Sequence, residues 1–411
     1  MRFVTLPMRD RSDRDVRHAR AVRFRVEADM EAVPAELMSR GSEQNDVRDP
    51  RGVAASARGW SQWLGDASAF ALVGVALVGA VFESLDIATD NRRGVLFVAA
   101  GAASGALASA VYGRIETNRE RIARARVVAW NIVRYFVAFE LMRYGVAKLV
   151  GMQFYPRYYR LDTRAADLSP MALAWTFFGR EYGYQAATGA LEVLGALLLC
   201  FRRTSTFGAC LLVAVMTNIV LVDFFYDVPV KLFSSVYLLM ALFVLTPDAR
   251  RLWAIFTTEG PAPARALPAA VTPRRWTRMA TAFVVTLIVI LPSADIVRKA
   301  HERGIFRTDA LEGAWIVRTQ TGIDLPSAGG TWEKVYFEKG AYGFIAVGGE
   351  RVPFKTEIDE RAKTLRLFDI GGSPDVRPVE ARYDLDGRRL HVDGANDGAP
   401  FVLELTRDLP P

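Results

Sequence analysis

The chain predicts a membrane-embedded all-α bundle of about seven transmembrane helices, followed by a small antiparallel β-barrel or sandwich domain. Three observations carry that expectation. Apolar segments at about 67–85, 94–113, 127–150, 184–202, 206–226, 229–246 and 277–296 each approach the roughly 20 residues that a spanning helix needs. Arginines cluster between these segments rather than along one face of a soluble fold. After about residue 305 the texture changes to short alternating runs separated by turn-formers. A hydrophobic content of 51% with a mean hydropathy of only +0.13 fits two unlike parts averaged over 411 residues.

Residues 1–66 are polar and basic, with Arg11, Arg14, Arg17, Arg20 and Arg23 at every third position. A disordered cytoplasmic tail and a later translation start at Met30 or Met38 are the plain readings; a basic helix lying on anionic lipid is the sharper one. No apolar secretory h-region opens the chain. Residues 67–126 then supply two transmembrane helices, and the loop after the second carries Arg114, Arg119, Arg121, Arg124 and Arg126, which places it in the cytoplasm. Alternation puts Arg202, Arg203, Arg250, Arg251, Arg274, Arg275 and Arg278 on the same side. The aromatic stretch 153–184 and the turn 223–229 fall outside. Within the former, 170–178 reads as a short surface helix, and its aromatic residues read as a belt at the water interface, with a lid over a lipophilic ligand as the alternative.

The stretch 247–276 reads as a cytoplasmic linker, wholly so from 257, because Pro261, Pro263 and Pro268 stand among alanines. The last span, 277–296, has a short apolar core ended by Pro292, and its crossing decides the compartment of everything after it. Residues 305–411 form the exported β-domain. Its strand candidates are 314–318, 332–337, 343–347, 352–358, 364–369, 379–385, 389–393 and 401–406, with turns at 338–340, 348–349, 371–374, 386–387 and 396–398. Trp315 and Trp332 are expected to fill its interior, with a ligand-holding calyx as the alternative.

Composition and motifs exclude several classes. The net charge of +7 follows the topology pattern, and no nucleic-acid reader motif accompanies it. Cys200 and Cys210 are not a CxxC pair and read as packing thiols. His18, His301 and His391 all lie outside the apolar segments, so intramembrane bis-histidine haem ligation is not available to the single chain. No metal-ligand spacing, Walker A loop or dinucleotide fingerprint is present, and the chain shows no cofactor ligands of its own.

The candidate chemistry is a polar cluster within the bilayer. Lys148 closes the third span, Glu192 lies in the fourth between Ala190, Leu191, Val193 and Leu194, and Asn218 precedes the end of the fifth. Asp227 and Lys231 bracket the following outer turn. Hydrocarbon disfavours such groups unless they pair or face a bundle interior, so Glu192 is expected to meet Lys148 or Lys231. The cluster suits a quinone carbonyl, a lipid phosphate or a proton relay. Secondary candidates are Glu140 and Arg143, spaced i,i+3 to pair on one helix face, and Trp175 in the aromatic loop.

Residues 134–256 also resemble the DoxX-like family of membrane proteins, whose shared unit is a four-helix bundle. The resemblance rests on Tyr144-Gly145-Val146-Ala147-Lys148-Leu149, Gly189-Ala190-Leu191-Glu192, Phe201-Arg202-Arg203-Thr204 and Asp227-Val228-Pro229-Val230-Lys231-Leu232-Phe233-Ser234. Members of that family include a membrane subunit of thiosulfate:quinone oxidoreductase, while others serve in receptor assembly. The resemblance implies a four-helix core over 127–256 and functional roles for Lys148 and Glu192. This chain departs from the family pattern by its extra spans and its β-domain. Two functions follow as expectations for a bacterial inner-membrane protein. One is a quinone- or lipophile-binding subunit working with a partner that carries the redox centre. The other is a non-catalytic scaffold acting on an exported or membrane protein partner through the β-domain.

Overall fold

Where described, the apolar segments are helices, and many of their oily residues face outward. In the computed structural model, the described residues are 67–77, 92–116, 118–155, 157–257, 260–261, 275–323, 327–369, 378–396 and 398–409. The basic segment 1–66 lies outside them. The helices are α1 (Ala67–Leu77), α2 (Arg92–Ile115), α3 (Arg119–Leu149), α4 (Tyr158–Leu161), α5 (Pro170–Arg180), α6 (Tyr182–Cys200), α7 (Ser205–Phe225), α8 (Lys231–Leu245), α9 (Ala249–Thr257) and α10 (Arg275–Glu302). Leu191, Leu194, Phe207, Leu221, Leu239, Phe283 and Ile290 are exposed on their surfaces, whereas Glu140, Glu192 and Asp223 are buried. Apolar outside and charged inside is the arrangement that a hydrocarbon solvent imposes.

Among the described residues, five helical stretches are long and apolar enough to cross a membrane: Gly94–Ile115, Tyr182–Cys200, Ser205–Phe225, Lys231–Thr257 and Met279–Glu302. Two of the seven expected segments stand apart. The first is described only over Ala67–Leu77. The third belongs to α3, which at 31 residues has the length but carries Arg134 at its middle and Glu140, Arg143 and Lys148 toward its C-terminal end. That helix owes its place to its neighbours. Trp130, Val133, Val137, Leu141 and Met142 of α3 pack with Leu199 of α6, Leu212 and Met216 of α7, and Phe233, Tyr237 and Met240 of α8 in one buried core.

Two further boundaries differ from the sequence expectation. The linker is helical at its start, because Trp253, Ile255 and Phe256 in α9 continue an apolar pattern that Arg250 and Arg251 interrupt only locally. The last helix runs through Pro292 and ends at Glu302. Ion pairs of Asp295 with Lys299 and Arg298, at 2.8 Å each, reinforce its final turns.

Residues 313–409 resolve the choice between barrel and sandwich. Eight strands, β1 (Gly313–Thr321), β2 (Trp332–Glu338), β3 (Tyr342–Val347), β4 (Glu350–Asp359), β5 (Thr364–Asp369), β6 (Val379–Asp386), β7 (Arg389–Asn396) and β8 (Ala399–Leu409), close in simple up-and-down order. β8 pairs antiparallel with β1 to complete the ring. The tight turn between β3 and β4 requires Gly348 and Gly349, whose φ angles are +57° and +82°. Alternate residues point inward, and eight strands leave an interior that side chains just fill. Trp315, Trp332, Phe354 and Phe401 are buried there in one apolar cluster, as expected of a filled interior. Both indole N–H groups are satisfied, Trp315 donating to the Leu311 carbonyl at 2.7 Å and Trp332 to that of Ala328 at 2.9 Å.

The barrel also meets the loop between α3 and α6. α4, only four residues long, lies against β1 and β2, and Tyr159 packs on Phe344 with ring centroids 4.3 Å apart. That loop follows the C-terminal end of α3, and the barrel follows the C-terminal end of α10. The two helices therefore finish at the same end of the bundle.

Candidate functional site

The centre of the site is a contact between α3 and α6 made close by two glycines. A Cβ built on Gly189 would stand 2.7 Å from the Gly145 carbonyl oxygen and 2.7 Å from Lys148 Cβ, so the Lys148 stem occupies the space that Gly189 leaves open. Lys148 thereby reaches Glu192, and its Nζ donates to Oε1 at 2.6 Å. Lys148 is 5% exposed and Glu192 is 0% exposed, so the pair is sealed within the protein. The second glutamate oxygen, Oε2, is buried with no hydrogen-bond partner among the described residues. The same holds for Gln185 Nε2 and Gln153 Oε1. Gln185 precedes Glu192 by seven residues on α6, two turns away on the same face, or about 10 Å along the axis.

Aromatic residues close this pair from the loop side. Phe154 is buried, and its ring centroid lies 5.7 Å from Lys148 Nζ, within cation–π range. Trp175 of α5 meets Phe154 edge-on at 5.0 Å, and Phe178 packs on it at 5.2 Å while stacking with Tyr184 at 6.0 Å. Ser169 caps α5 by accepting from Ala172 N, with Pro170 at the first helical position. The loop is anchored at its other side by Tyr182, whose hydroxyl donates to the Leu149 carbonyl at 2.7 Å.

The remaining candidates are not gathered there. Asn218 is exposed on α7, because its helical face turns outward. Lys231 binds Asp227 at 2.6 Å, where the i,i+4 spacing at the start of α8 wins over a longer reach to Glu192. The Asp227 side chain is 83% exposed, so that pair belongs to the surface. Glu140 and Arg143 pair at 3.2 Å along α3, as their spacing implies. Cys200 and Cys210 are free thiols. Among the described residues, no group of three or more His, Cys, Asp or Glu side chains could hold a metal ion.

A second polar cluster, at the junction of loop and barrel, escaped sequence reading. Glu338, placed by sequence in a turn, is instead the buried last residue of β2. Its two oxygens accept the backbone N–H groups of Tyr158 at 3.0 Å and Tyr159 at 3.1 Å. Tyr158 in turn donates its hydroxyl to buried Glu312 at 3.0 Å. Beside them, Lys334 bridges Asp162 at 2.6 Å and Asp408 at 2.7 Å, and the Tyr336 hydroxyl donates to Asp162 at 2.8 Å. Burial pushes the Glu338 carboxyl up to about 7 despite those backbone donors, with nearby Glu312 adding to the rise. Glu312 is also raised by burial, and Tyr336 is pushed up to about 12 by burial and its bond to Asp162. Nothing in the local pattern around 312 or 338 signals this pairing, which joins positions more than 150 residues apart.

The fold and site define an α-helical protein with membrane-length apolar helices and a C-terminal eight-stranded β-barrel. Comparison with known proteins places it with a relative, the uncharacterized protein YwoB of Bacillus subtilis (strain 168). The two are 36% identical over 126 residues, covering 31% of this chain and 80% of the relative. The chain belongs to the same family as that protein. No family model matches the chain, and no solved structure matches it.

Proposed function

We propose that this chain is a membrane subunit that holds the polar head of a lipophilic molecule, a quinone or a compound of similar chemistry, beside Lys148 and Glu192. The observation that supports this most is the buried Glu192 oxygen left without a hydrogen-bond partner among the described residues, next to a cation under an aromatic cover. An unsatisfied buried acceptor is costly, and a ligand donor would remove that cost. The residues fit such a head group: Lys148 Nζ and Gln185 Nε2 are donors for a carbonyl, and Glu192 Oε2 is an acceptor for a hydroxyl. A bound quinone would supply two-electron chemistry, and a partner carrying the redox centre would exchange electrons with it. The chain's own residues bind and orient the head and keep water from it.

The resemblance of residues 134–256 to the DoxX-like unit supports the same reading. In this proposal the protein sits in a bacterial inner membrane. The arginine-rich ends of α2 and α3 are cytoplasmic, and the aromatic loop and barrel lie on the opposite face. The joint end of α3 and α10 supports that sidedness.

A second reading is a non-catalytic scaffold or assembly factor. It is favoured by the barrel, whose filled interior leaves its outer surface as the part available to a protein partner. Purification in mild detergent followed by mass spectrometry of extracted lipids separates the two. A near-stoichiometric quinone that is lost in Glu192→Gln supports the first reading. Background lipid in both proteins, with a protein partner retained through the barrel, supports the second.

A further inference from the structure

The end of α10 and the rim of the barrel border a cleft of about 410 Å³, within the size range of small-ligand sites. Gly304 and Gly340 both line it, and there the chain leaving α10 lies against the β2–β3 turn. A Cβ built on Gly340 would stand 2.6 Å from the Arg303 carbonyl oxygen, so that approach leaves no space for a side chain. His301, Arg303 and Arg307 line the cleft from the helix side, together with Asp309 and, from β4, Thr356 and Glu357. Among the described residues, the Arg303 and Arg307 side chains make no hydrogen bond or ion pair. Thr356 is 2% exposed, and its Oγ1 is buried without a hydrogen-bond partner among those residues. Its backbone N–H donates to the Ala341 carbonyl at 2.9 Å, which fixes the residue at the cleft. We propose that this cleft binds the phosphate of an amine-bearing head group, with Arg303, Arg307 and the Thr356 hydroxyl on the phosphate and Asp309 and Glu357 on the ammonium.

The chemistry of the walls selects that ligand. Guanidinium groups meet phosphate oxygens with paired, charge-assisted N–H bonds. The Thr356 hydroxyl is a further donor, and a phosphate oxygen would end its isolation. Cations alone would suit any anion, but Asp309 and Glu357 share the cleft with them. Glu357 has only a loose ion pair, 3.7 Å from Lys355, whereas Glu302 is already held by Arg298 at 2.6 Å. A bare anion would meet the two free carboxylates as like charges, and a zwitterion answers both signs. Two sources supply this chemistry, a membrane phospholipid and a soluble phosphodiester. The position of the cleft favours the lipid. Met279–Glu302 is long and apolar enough to cross a membrane, and its last two residues, His301 and Glu302, line the cleft. Phe306 and Tyr342, 54% and 52% exposed, adjoin lining residues along the chain and offer apolar surface to acyl chains. This site goes beyond the lipophile reading and uses none of its residues.

Native mass spectrometry of the full-length protein, released from an uncharged detergent, tests this. Phosphatidylethanolamine, phosphatidylglycerol and glycerophosphoethanolamine are added in turn at graded concentrations, and the bound fraction gives an affinity for each. Phosphatidylethanolamine is expected to form a single saturable adduct, about tenfold tighter than phosphatidylglycerol. Arg303→Gln/Arg307→Gln should weaken that adduct at least about tenfold through loss of charge-assisted bonds. Both arginines are exposed, so the double variant should fold as the wild type does. Thr356→Val removes an unpartnered hydroxyl, and should weaken binding several-fold with no loss of thermal stability. Asp309→Asn/Glu357→Gln should erase the preference for ethanolamine over glycerol. Glu192→Gln should bind as the wild type does, so failure of the lipophile reading leaves this result standing. Tighter binding of the lipid than of glycerophosphoethanolamine supports the proposal with the bilayer as source, and equal binding supports it with a soluble ligand. Lipid adducts that do not saturate, equal affinity for the two lipids, or unchanged affinity in the arginine double variant would overturn it.

Discussion

Glu192 in the bundle and Glu338 in the barrel are both nearly sealed from solvent, at 0% and 4% exposure, yet their surroundings satisfy them differently. Glu338 spends both oxygens on backbone N–H groups of another segment, so its role is to join two parts of the chain. Glu192 has a single cation on one oxygen and, among the described residues, leaves the other without a partner. The first arrangement is complete as it stands, and the second leaves one acceptor for a further donor to satisfy. A buried acid is therefore read by what its second oxygen does, more than by its burial.

The largest effect expected from this comparison concerns sidedness and is all-or-none. In whole cells, an impermeant thiol reagent should modify Arg164→Cys in the aromatic loop and Arg361→Cys in an exposed barrel turn, and leave Arg250→Cys in α9 unmodified until the membrane is opened. Labelling of only one of the first two would separate the loop from the barrel and break the link between the two acids.

The next effect is energetic. Glu192→Ala leaves the Lys148 ammonium buried without its partner and is expected to cost about 3–5 kcal/mol. Thermal unfolding in detergent measures it, and a loss below about 1 kcal/mol would mean that Lys148 finds water or another acid. Gly189→Ala brings a methyl against the Gly145 carbonyl and Lys148 Cβ, and should cost about 1–3 kcal/mol through overpacking. A neutral outcome would show that α3 and α6 can part without harm to the pair. The smallest effect belongs to Asp227→Asn, which keeps the residue's φ of +53° tolerable and removes only a surface ion pair. Its expected cost is about 0–1 kcal/mol. A larger loss would return Asp227 and Lys231 to the functional cluster.

Much of this arrangement is legible from sequence, and the failures have physical reasons. The barrel strands show because inward and outward positions alternate and glycine marks the turns. Gly348–Gly349 needs two left-handed residues in a row, which few other pairs supply. Glu192 shows because its apolar neighbours leave an acid nowhere to hide except inside. Choosing Lys148 over Lys231 as its partner required knowing that Asp227 satisfies Lys231 locally. Asn218 lies exposed on its helix, and a helix whose residues are apolar on nearly every side offers no sequence cue to its inner face. Glu338 was hidden for a different reason: an acid at a strand end beside glycine resembles a solvated turn, and only the returning loop buries it.

The most direct test of the central claim replaces both charges with apolar side chains of similar length. Lys148→Met/Glu192→Met removes the desolvated pair without leaving either charge alone, so the bundle should remain folded. Lipophile bound per protein is then measured by mass spectrometry on the double variant and the wild type. Near-stoichiometric lipophile in the wild type, with only background in the equally stable double variant, is the result predicted here. Equal amounts in the two proteins, or none in the wild type, would contradict the assignment of this pair as a ligand site.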